Sequence, residues 1–442
     1  MRDSIQSNSN GFLENFFELT KNDTSVRTEV LAGLTTFVTM AYILFVNPII
    51  LADAGLDQGA VFMATALAAA ISTLFMGLFA NYPFALAPGM GLNAFFAYVM
   101  VGALGIAWQT ALCAVFLSGI IAVIVTLTGL RELLIKAIPV PLKHAVGAGI
   151  GLFIAFIGLQ NAGIVVGSEA TLVDLGDFTN PSTLLATIGL IITAVLIARG
   201  VRGGILLGII ITTIIGIPMG ITQIPQSLVS TPPSMLPGFM KLDVISALKF
   251  SLFPVIFSLF FADLFDTIGT FVGVASRTGM IDEHGNLKRG NKALFADSIG
   301  TVIGSLLGTS NTTTYVESAA GVSVGGRTGL TAVVVTILFV ASIIFSPIAL
   351  AVPAEAIAPA LILVGVFMAS SLNEIRFDDF YEALPALLTA IMMPLTYSIS
   401  FGLSIGFVAY AALMLLSGRG KEVNWMMYIL AVAFTIYFAF VR

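Results

Sequence analysis

Asp263, Asp266 and Glu317 stand where a carboxylate is expensive. Asp263 and Asp266 occur in Phe260-Phe261-Ala262-Asp263-Leu264-Phe265-Asp266-Thr267-Ile268-Gly269-Thr270, and Glu317 in Thr312-Thr313-Thr314-Tyr315-Val316-Glu317-Ser318, both within apolar runs. An ionisable side chain in hydrocarbon is costly and is kept for function or for pairing. No lysine or arginine lies deep in the same runs. These carboxyls must therefore be protonated, hydrogen-bonded to polar neighbours, or bound to a substrate or cation. Asp263 and Asp266 are three apart and share one helix face. Asp297, five residues past Lys292 and nearer the end of its run, reads as a tie between helices.

Two runs are interrupted. One reads Tyr82-Pro83-Phe84-Ala85-Leu86-Ala87-Pro88-Gly89-Met90-Gly91-Leu92-Asn93-Ala94-Phe95-Phe96. Pro88, Gly89 and Gly91 prevent a regular helix before about Gly91 and leave a half-helix starting there, with free N–H groups at its positive end. In the other, Gly308-Thr309-Ser310-Asn311 is a non-helical lead-in to Glu317. Two half-helix starts facing each other hold the polar edges of a ligand while Glu317 and Asp266 accept its N–H donors. Irregular backbone at this depth is tolerated only inside protein or beside a watery cavity.

Other patterns read as architecture. Gly147-Ala148-Gly149-Ile150-Gly151 lies inside an apolar run and serves close helix packing rather than phosphate binding. His144 follows Lys143 at a membrane boundary, and His284 falls in a polar loop. Cys113 is the single cysteine, so neither a disulfide framework nor a thiolate metal site is available, and no metal or cofactor is expected. No zinc, Ser-His-Asp or phosphate-loop constellation is present, and a membrane-embedded enzyme has no nucleophile–base pair to work with.

The elements that position these residues follow from composition. The chain has 442 residues, 58% hydrophobic and 10% charged, with net charge −5. Soluble domains carry roughly 25% charged residues, so a soluble enzyme, a nucleic-acid binder and a disordered scaffold are excluded. Apolar runs at 29–50, 60–80, 84–101, 106–130, 140–164, 182–199, 203–222, 244–276, 292–308, 312–325, 328–350, 355–371, 382–397, 398–417 and 424–441 give fifteen candidates for a polytopic helical membrane protein. No signal peptide precedes the first run. Phe12, Leu13, Phe16, Phe17 and Leu19 suit a short amphipathic helix on the membrane surface. With the N-terminus in the cytoplasm and a crossing at every run, all of the 19 basic residues except Lys241, Lys249 and Arg442 fall inside or at inner edges. The outer loops carry Asp53, Asp57, Glu169, Asp174, Asp177 and Glu355. Whether 424–441 spans the bilayer or lies on it stays open.

The chain also resembles itself. Ala137-Ile138-Pro139, Gly151 and Phe153 recur 214 positions later as Ala351-Val352-Pro353, Gly365 and Phe367. The copies enter the membrane from opposite sides, which makes two inverted halves of about seven spans. The two interrupted runs are third and tenth in order. Paired broken segments in inverted repeats point to a substrate site near the midplane.

At Arg27-Thr28-Glu29-Val30-Leu31-Ala32-Gly33-Leu34-Thr35-Thr36-Phe37, Ala87-Pro88-Gly89-Met90-Gly91-Leu92-Asn93-Ala94-Phe95-Phe96, Phe265-Asp266-Thr267-Ile268-Gly269-Thr270, Tyr315-Val316-Glu317-Ser318-Ala319-Ala320-Gly321 and Gly325-Gly326-Arg327-Thr328-Gly329-Leu330, the sequence resembles the AzgA-like purine permeases of the nucleobase–cation symporter and nucleobase/ascorbate transporter group. The resemblance implies an all-α polytopic fold of fourteen segments in two inverted sevens. Short strands would lead into half-helices in segments three and ten. A cytoplasmic segment (1–28) would precede a core domain (29–130 and 244–350) and a gate domain (131–243 and 351–417), and 418–442 would form a tail with an extra apolar segment. By the same resemblance Glu317 and Asp266 are the principal purine ligands, with Asn93, Gly91, Thr314 and Tyr315 beside them. Asp266 and Asp263 are the proton-coupling residues, and two copies join through the gate.

The physics of the substrate agrees. A purine is flat and neutral, with N–H donors and ring acceptors around its edge, which carboxylates and backbone N–H groups complement while aromatic side chains cover its faces. The expected function is proton-driven import of adenine, guanine or hypoxanthine across a bacterial inner membrane, with the N-terminus cytoplasmic. The alternative is a sulfate- or bicarbonate-type anion transporter or channel of the same architecture, which would need positive charge at the site.

Overall fold

Ser25 opens the first long helix by accepting the Thr28 N–H at 3.2 Å, as the capping preference of serine dictates. The helices are α1 (Phe12–Phe17), α2 (Val26–Met40), α3 (Ile43–Asp53) and α4 (Gln58–Phe75), then α5 (Met90–Ala94), which continues as a wider helix over Phe95–Ala103. Next come α6 (Trp108–Leu127), α7 (Val140–Asn161), α8 (Pro181–Ala198), α9 (Gly204–Gly216), α10 (Phe253–Ala275) and α11 (Gly290–Leu307). The chain ends with α12 (Ser318–Ser323), α13 (Gly329–Ser342), α14 (Ala354–Ala369), α15 (Phe380–Leu395), α16 (Ile399–Leu416) and α17 (Trp425–Phe440). Among the described residues there are also four short strands, β1 (Leu86–Pro88), β2 (Val165–Ser168), β3 (Leu172–Leu175) and β4 (Thr312–Thr314). This computed structural model describes residues 11–130, 137–225, 227–275 and 289–440. Arg2, Arg131, Lys136, Arg277, His284, Lys288 and Arg442 lie outside them.

Among the described residues eight helices are long and apolar enough to cross a membrane, and five further apolar helices are shorter. Every apolar run of the sequence coincides with one of these elements or with α11 or the β4–α12 segment. Large apolar side chains stand outward at Leu127, Ile191, Ile337 and Leu416, a surface that hydrocarbon satisfies and water does not. The last run packs one face inward. Met427, Leu430 and Phe434 of α17 are buried, and the Phe434 ring sits 6.1 Å from Phe261 of α10 and 5.5 Å from Phe407 of α16.

Small residues bring the helices together, as expected where lipid is as apolar as leucine. α7 and α14 meet where a Cβ built on Gly151 would lie 2.7 Å from the Gly365 carbonyl oxygen and one built on Gly365 would lie 2.5 Å from that of Gly151. The short hairpin β2–β3, paired from Val165↔Leu175 to Ser168↔Leu172, follows α7; its four-residue strands are too short to announce themselves in the sequence.

The start of α13 is closed by side chains from distant elements. Glu29 is fully buried and accepts the N–H groups of Arg327 (2.8 Å), Thr328 (3.3 Å) and Thr331 (3.1 Å), together with the Thr331 hydroxyl (2.6 Å). Asn81 accepts the Gly329 N–H at 2.7 Å and donates to the Phe17 carbonyl at 3.1 Å. The free N–H groups of a helix start are thus satisfied by a carboxylate on α2 and an amide after α4. α1 is held there through Phe17 and Leu19, which pack on Leu330, while Phe12 and Phe16 stay exposed.

Candidate functional site

Pro88 and Gly89 stop a helix from forming, and the chain instead makes a three-residue strand. β1 pairs antiparallel with β4 in the register Leu86↔Thr314, Ala87↔Thr313 and Pro88↔Thr312. A two-stranded ribbon at this depth has open edges that hydrocarbon cannot satisfy. Each edge is closed from within the protein. The Thr73 hydroxyl takes the Leu86 N–H at 2.9 Å and approaches its carbonyl at 3.1 Å. Ser318 accepts the Ala85 N–H at 3.0 Å. Asp297 accepts the Thr314 N–H and hydroxyl, both at 2.9 Å. The ribbon is extended by Gly89 N–H to the Asn311 carbonyl at 2.8 Å and Tyr315 N–H to the Ala85 carbonyl at 2.9 Å. Antiparallel pairing sets the starts of α5 and α12 at opposite ends of the ribbon.

The four carboxylates of these segments divide by their surroundings. Asp297 is fully buried and, besides Thr314, accepts the Thr267 hydroxyl at 2.7 Å and that of Thr313 at 3.4 Å. It ties α10, α11 and β4, in keeping with the structural reading of its position. Asp263 is 3% exposed and faces Thr301 of α11 at 3.5 Å; that hydroxyl also donates to the Thr312 carbonyl at 3.1 Å. Asp266 and Glu317 differ from both, because each keeps part of its surface accessible. Neither forms an ion pair among the described residues. Asp266 lies within electrostatic reach of Glu317 and Asp297. Asp263 and Asp266 share a face by spacing but not an environment. Asp263 stands with Thr267, four residues on, toward α11, whereas Asp266 remains accessible.

Glu317, at the start of α12, is held by a residue that spacing does not reveal. Tyr42, buried between α2 and α3, donates its hydroxyl to Glu317 Oε1 at 2.5 Å. Thr314 and Tyr315, expected beside the ligand, are both buried. The Thr314 hydroxyl serves Asp297, and the Tyr315 hydroxyl donates to the Pro88 carbonyl at 2.5 Å. Across the ribbon, Gly91 has no room for a side chain, since a Cβ there would lie 2.5 Å from Ile150 Cγ2 on α7. Asn93 is fully buried and donates to Asn47 Oδ1 at 3.0 Å. The ribbon is thus followed at one end by Gly91 and Asn93 of α5 and at the other by Glu317 at the start of α12, with Asp266 of α10 in electrostatic reach of Glu317. Tyr42, Asn47 and Thr267, unremarked in the sequence, bond to Glu317, Asn93 and Asp297 respectively.

Comparison with known proteins places this geometry in a family. Residues 27–405 match the model of the Permease family. A relative from Methanocaldococcus jannaschii is 52% identical over 429 residues, covering 97% of this chain and 98% of that protein. The adenine permease AdeP of Escherichia coli is 45% identical, covering 99% and 98%. The guanine/hypoxanthine permease PbuG of Bacillus subtilis is 46% identical, covering 97% and 100%. The fold is that of the transmembrane domain of a cyanobacterial bicarbonate transporter, BicA, with TM-score 0.63 at 17% identity over 86% of this chain and 97% of that one. With its helical membrane spans and its motifs in family order, the chain belongs to the Permease family, as a transporter of the nucleobase/ascorbate group and not an enzyme.

Proposed function

We propose that this permease imports purine nucleobases (adenine, guanine and hypoxanthine) by proton symport. The base binds at the strand crossing, between β1–α5 and β4–α12 and against α10. The observation that carries this reading is the division among the carboxylates. Asp297 and Asp263 are enclosed, while Glu317 and Asp266 keep accessible surface. A neutral ligand with N–H donors is what two such acceptors suit. The names of the relatives, adenine permease and guanine/hypoxanthine permease, support the same substrate class.

In this reading Glu317 accepts N–H groups of the base, with its other oxygen held by Tyr42. Asp266 completes the acceptor set, and Asp266 or Asp263 carries the proton. Gly91 and Asn93 approach from the other half-helix, with Thr314 and Tyr315 keeping the ribbon in place. Neutralising a carboxylate and filling the site together let a core (29–130 and 244–350) move against a gate (131–243 and 351–417). Inward proton movement supplies about 2.3 kcal/mol per charge per 100 mV. The fourteen segments form two inverted sevens, an arrangement the reciprocal Gly151–Gly365 contact supports. The N-terminus is cytoplasmic, and two copies associate through the gate. The anion-transport reading lacks its requirement, because no lysine or arginine among the described residues pairs with the site carboxylates Asp266 and Glu317.

Uptake of labelled adenine and hypoxanthine into proteoliposomes is the test. Accumulation is expected to follow an imposed inward proton gradient without sodium. Accumulation that ignores the proton gradient and requires sodium refutes the coupling, and uptake that no purine competes refutes the substrate.

A further inference from the structure

Asn47 lies in Leu44-Phe45-Val46-Asn47-Pro48 of α3 and is fully buried, as are Asn93, Thr65 and Thr309 around it. These side chains form a hydrogen-bonded ladder whose direction is fixed from one end. The Thr65 hydroxyl donates to the Val61 carbonyl at 2.6 Å. Its only proton is then used, so toward Asn47 it can only accept. Asn47 Nδ2 donates to it at 2.7 Å and to the Thr309 hydroxyl at 2.8 Å. Both amide hydrogens of Asn47 are thereby engaged, and what remains for its neighbour is Oδ1. Asn93 meets that oxygen with its Nδ2 at 3.0 Å. The Oδ1 of Asn93 is buried and has no hydrogen-bond partner among the described residues. Turning the Asn93 amide over would set its oxygen against the oxygen of Asn47, acceptor against acceptor.

We propose that Asn47 is a positioning residue that dictates which end of the Asn93 carboxamide the base meets, and that it thereby sets discrimination among purines. Held in this way, Asn93 offers a carbonyl acceptor. A fixed acceptor favours a base whose facing atom carries N–H and penalises one whose facing atom is a lone pair. A buried polar group left unmatched is what makes such discrimination strong. This inference rests on the reading of Asn93 as a residue of the purine site. Asn47 itself touches no base, and its influence runs through the orientation of its neighbour.

The test is equilibrium binding of adenine and hypoxanthine to the purified full chain, read as the ratio of the two dissociation constants. In Asn47→Ala the Asn93 amide is free to rotate, and the ratio is expected to move toward one by about ten-fold. In Asn47→Asp an acceptor for Asn93 Nδ2 is retained, and the ratio is expected to stay near that of the parent. Thr65→Val, nearly isosteric, removes the group that sets the direction of the ladder and is expected to relax the ratio in the same sense. It also serves where Asn47→Ala is not recovered as folded protein. Affinities that fall equally for both bases in Asn47→Ala and Thr65→Val, or do not fall at all, overturn the positioning role. Asn93→Ala separates the two levels of the argument: if both affinities survive that change, the assignment of Asn93 to the purine site fails. If Asn93→Ala weakens binding while the Asn47 and Thr65 variants leave the ratio intact, only the role of Asn47 fails.

Discussion

Gly151 and Gly365 touch reciprocally, each standing where a Cβ on the other would strike its carbonyl oxygen. They are also the positions that the 214-residue internal repeat equates. Equivalent positions that contact one another lie close to a two-fold axis, by the same logic that governs isologous interfaces. The α7–α14 contact is thus consistent with the inverted repeat proposed above. Gly365→Ala is expected to force the helices apart and to cost about 1–3 kcal/mol of stability, as overpacking does. Gly151→Ala should do the same. The double variant should cost less than the sum, because one displacement relieves both contacts. Thermal unfolding of the purified protein in detergent reads all three.

The carboxylates should separate by phenotype. Glu317→Gln and Asp266→Asn are expected to leave a folded protein that no longer binds purine. Asp297→Asn replaces an acceptor of several hydrogen bonds across α10, α11 and β4, and should lower folded yield and thermal stability before binding can be asked about. Folded yield from size-exclusion chromatography, set beside purine binding per folded molecule, distinguishes the two classes. Full affinity in Glu317→Gln would remove it from the site.

Tyr42→Phe deletes one hydroxyl and nothing else. That hydroxyl fixes Glu317 Oε1, and a hydrogen bond to a charged group contributes about 1.5–3 kcal/mol. Purine affinity is expected to fall roughly ten-fold or more, with little change in the melting temperature. A melting temperature that falls with unchanged affinity would instead make Tyr42 a packing residue.

Glu29 should behave in the opposite way. Its carboxylate collects the N–H groups that open α13, and without it those donors are buried with no acceptor. Glu29→Ala is expected to cost about 2–4 kcal/mol of stability, while Glu29→Gln, which keeps an acceptor oxygen, should cost less. Thermal unfolding at a fixed detergent concentration orders the two.

The apolar runs and their interruptions were legible because a span of hydrocarbon demands about 20 apolar residues, and because Pro88 and Gly89 cannot continue a helix. Asp266 and Glu317 stood out as uncompensated charges in apolar surroundings. The spacing of Asp263 and Asp266 suggested a shared role that their surroundings divide, since three residues along a helix turn a side chain far enough to face a different neighbour. Tyr42, Asn47 and Glu29 were not legible. Tyr42 and Asn47 look like interruptions of an apolar run and Glu29 like an interfacial charge, and their partners Glu317, Thr309 and Thr331 lie more than 250 positions away. The β2–β3 hairpin was not legible because its strands are only four residues each and lie outside any long apolar run.

The strand crossing also governs when the proposed binding site can exist. The Tyr315 hydroxyl and its Pro88 acceptor are 227 positions apart, so about half the chain must be synthesised and inserted between the two strands of the ribbon. Contacts of such separation form late in folding, and until they do, β1 waits in the membrane with an unsatisfied edge. Assembly of the site is thus a checkpoint on completion of the second half. A chain severed in the connection at residues 217–243 would have to bring its two strands together as separate molecules, and its purine binding would become dependent on protein concentration.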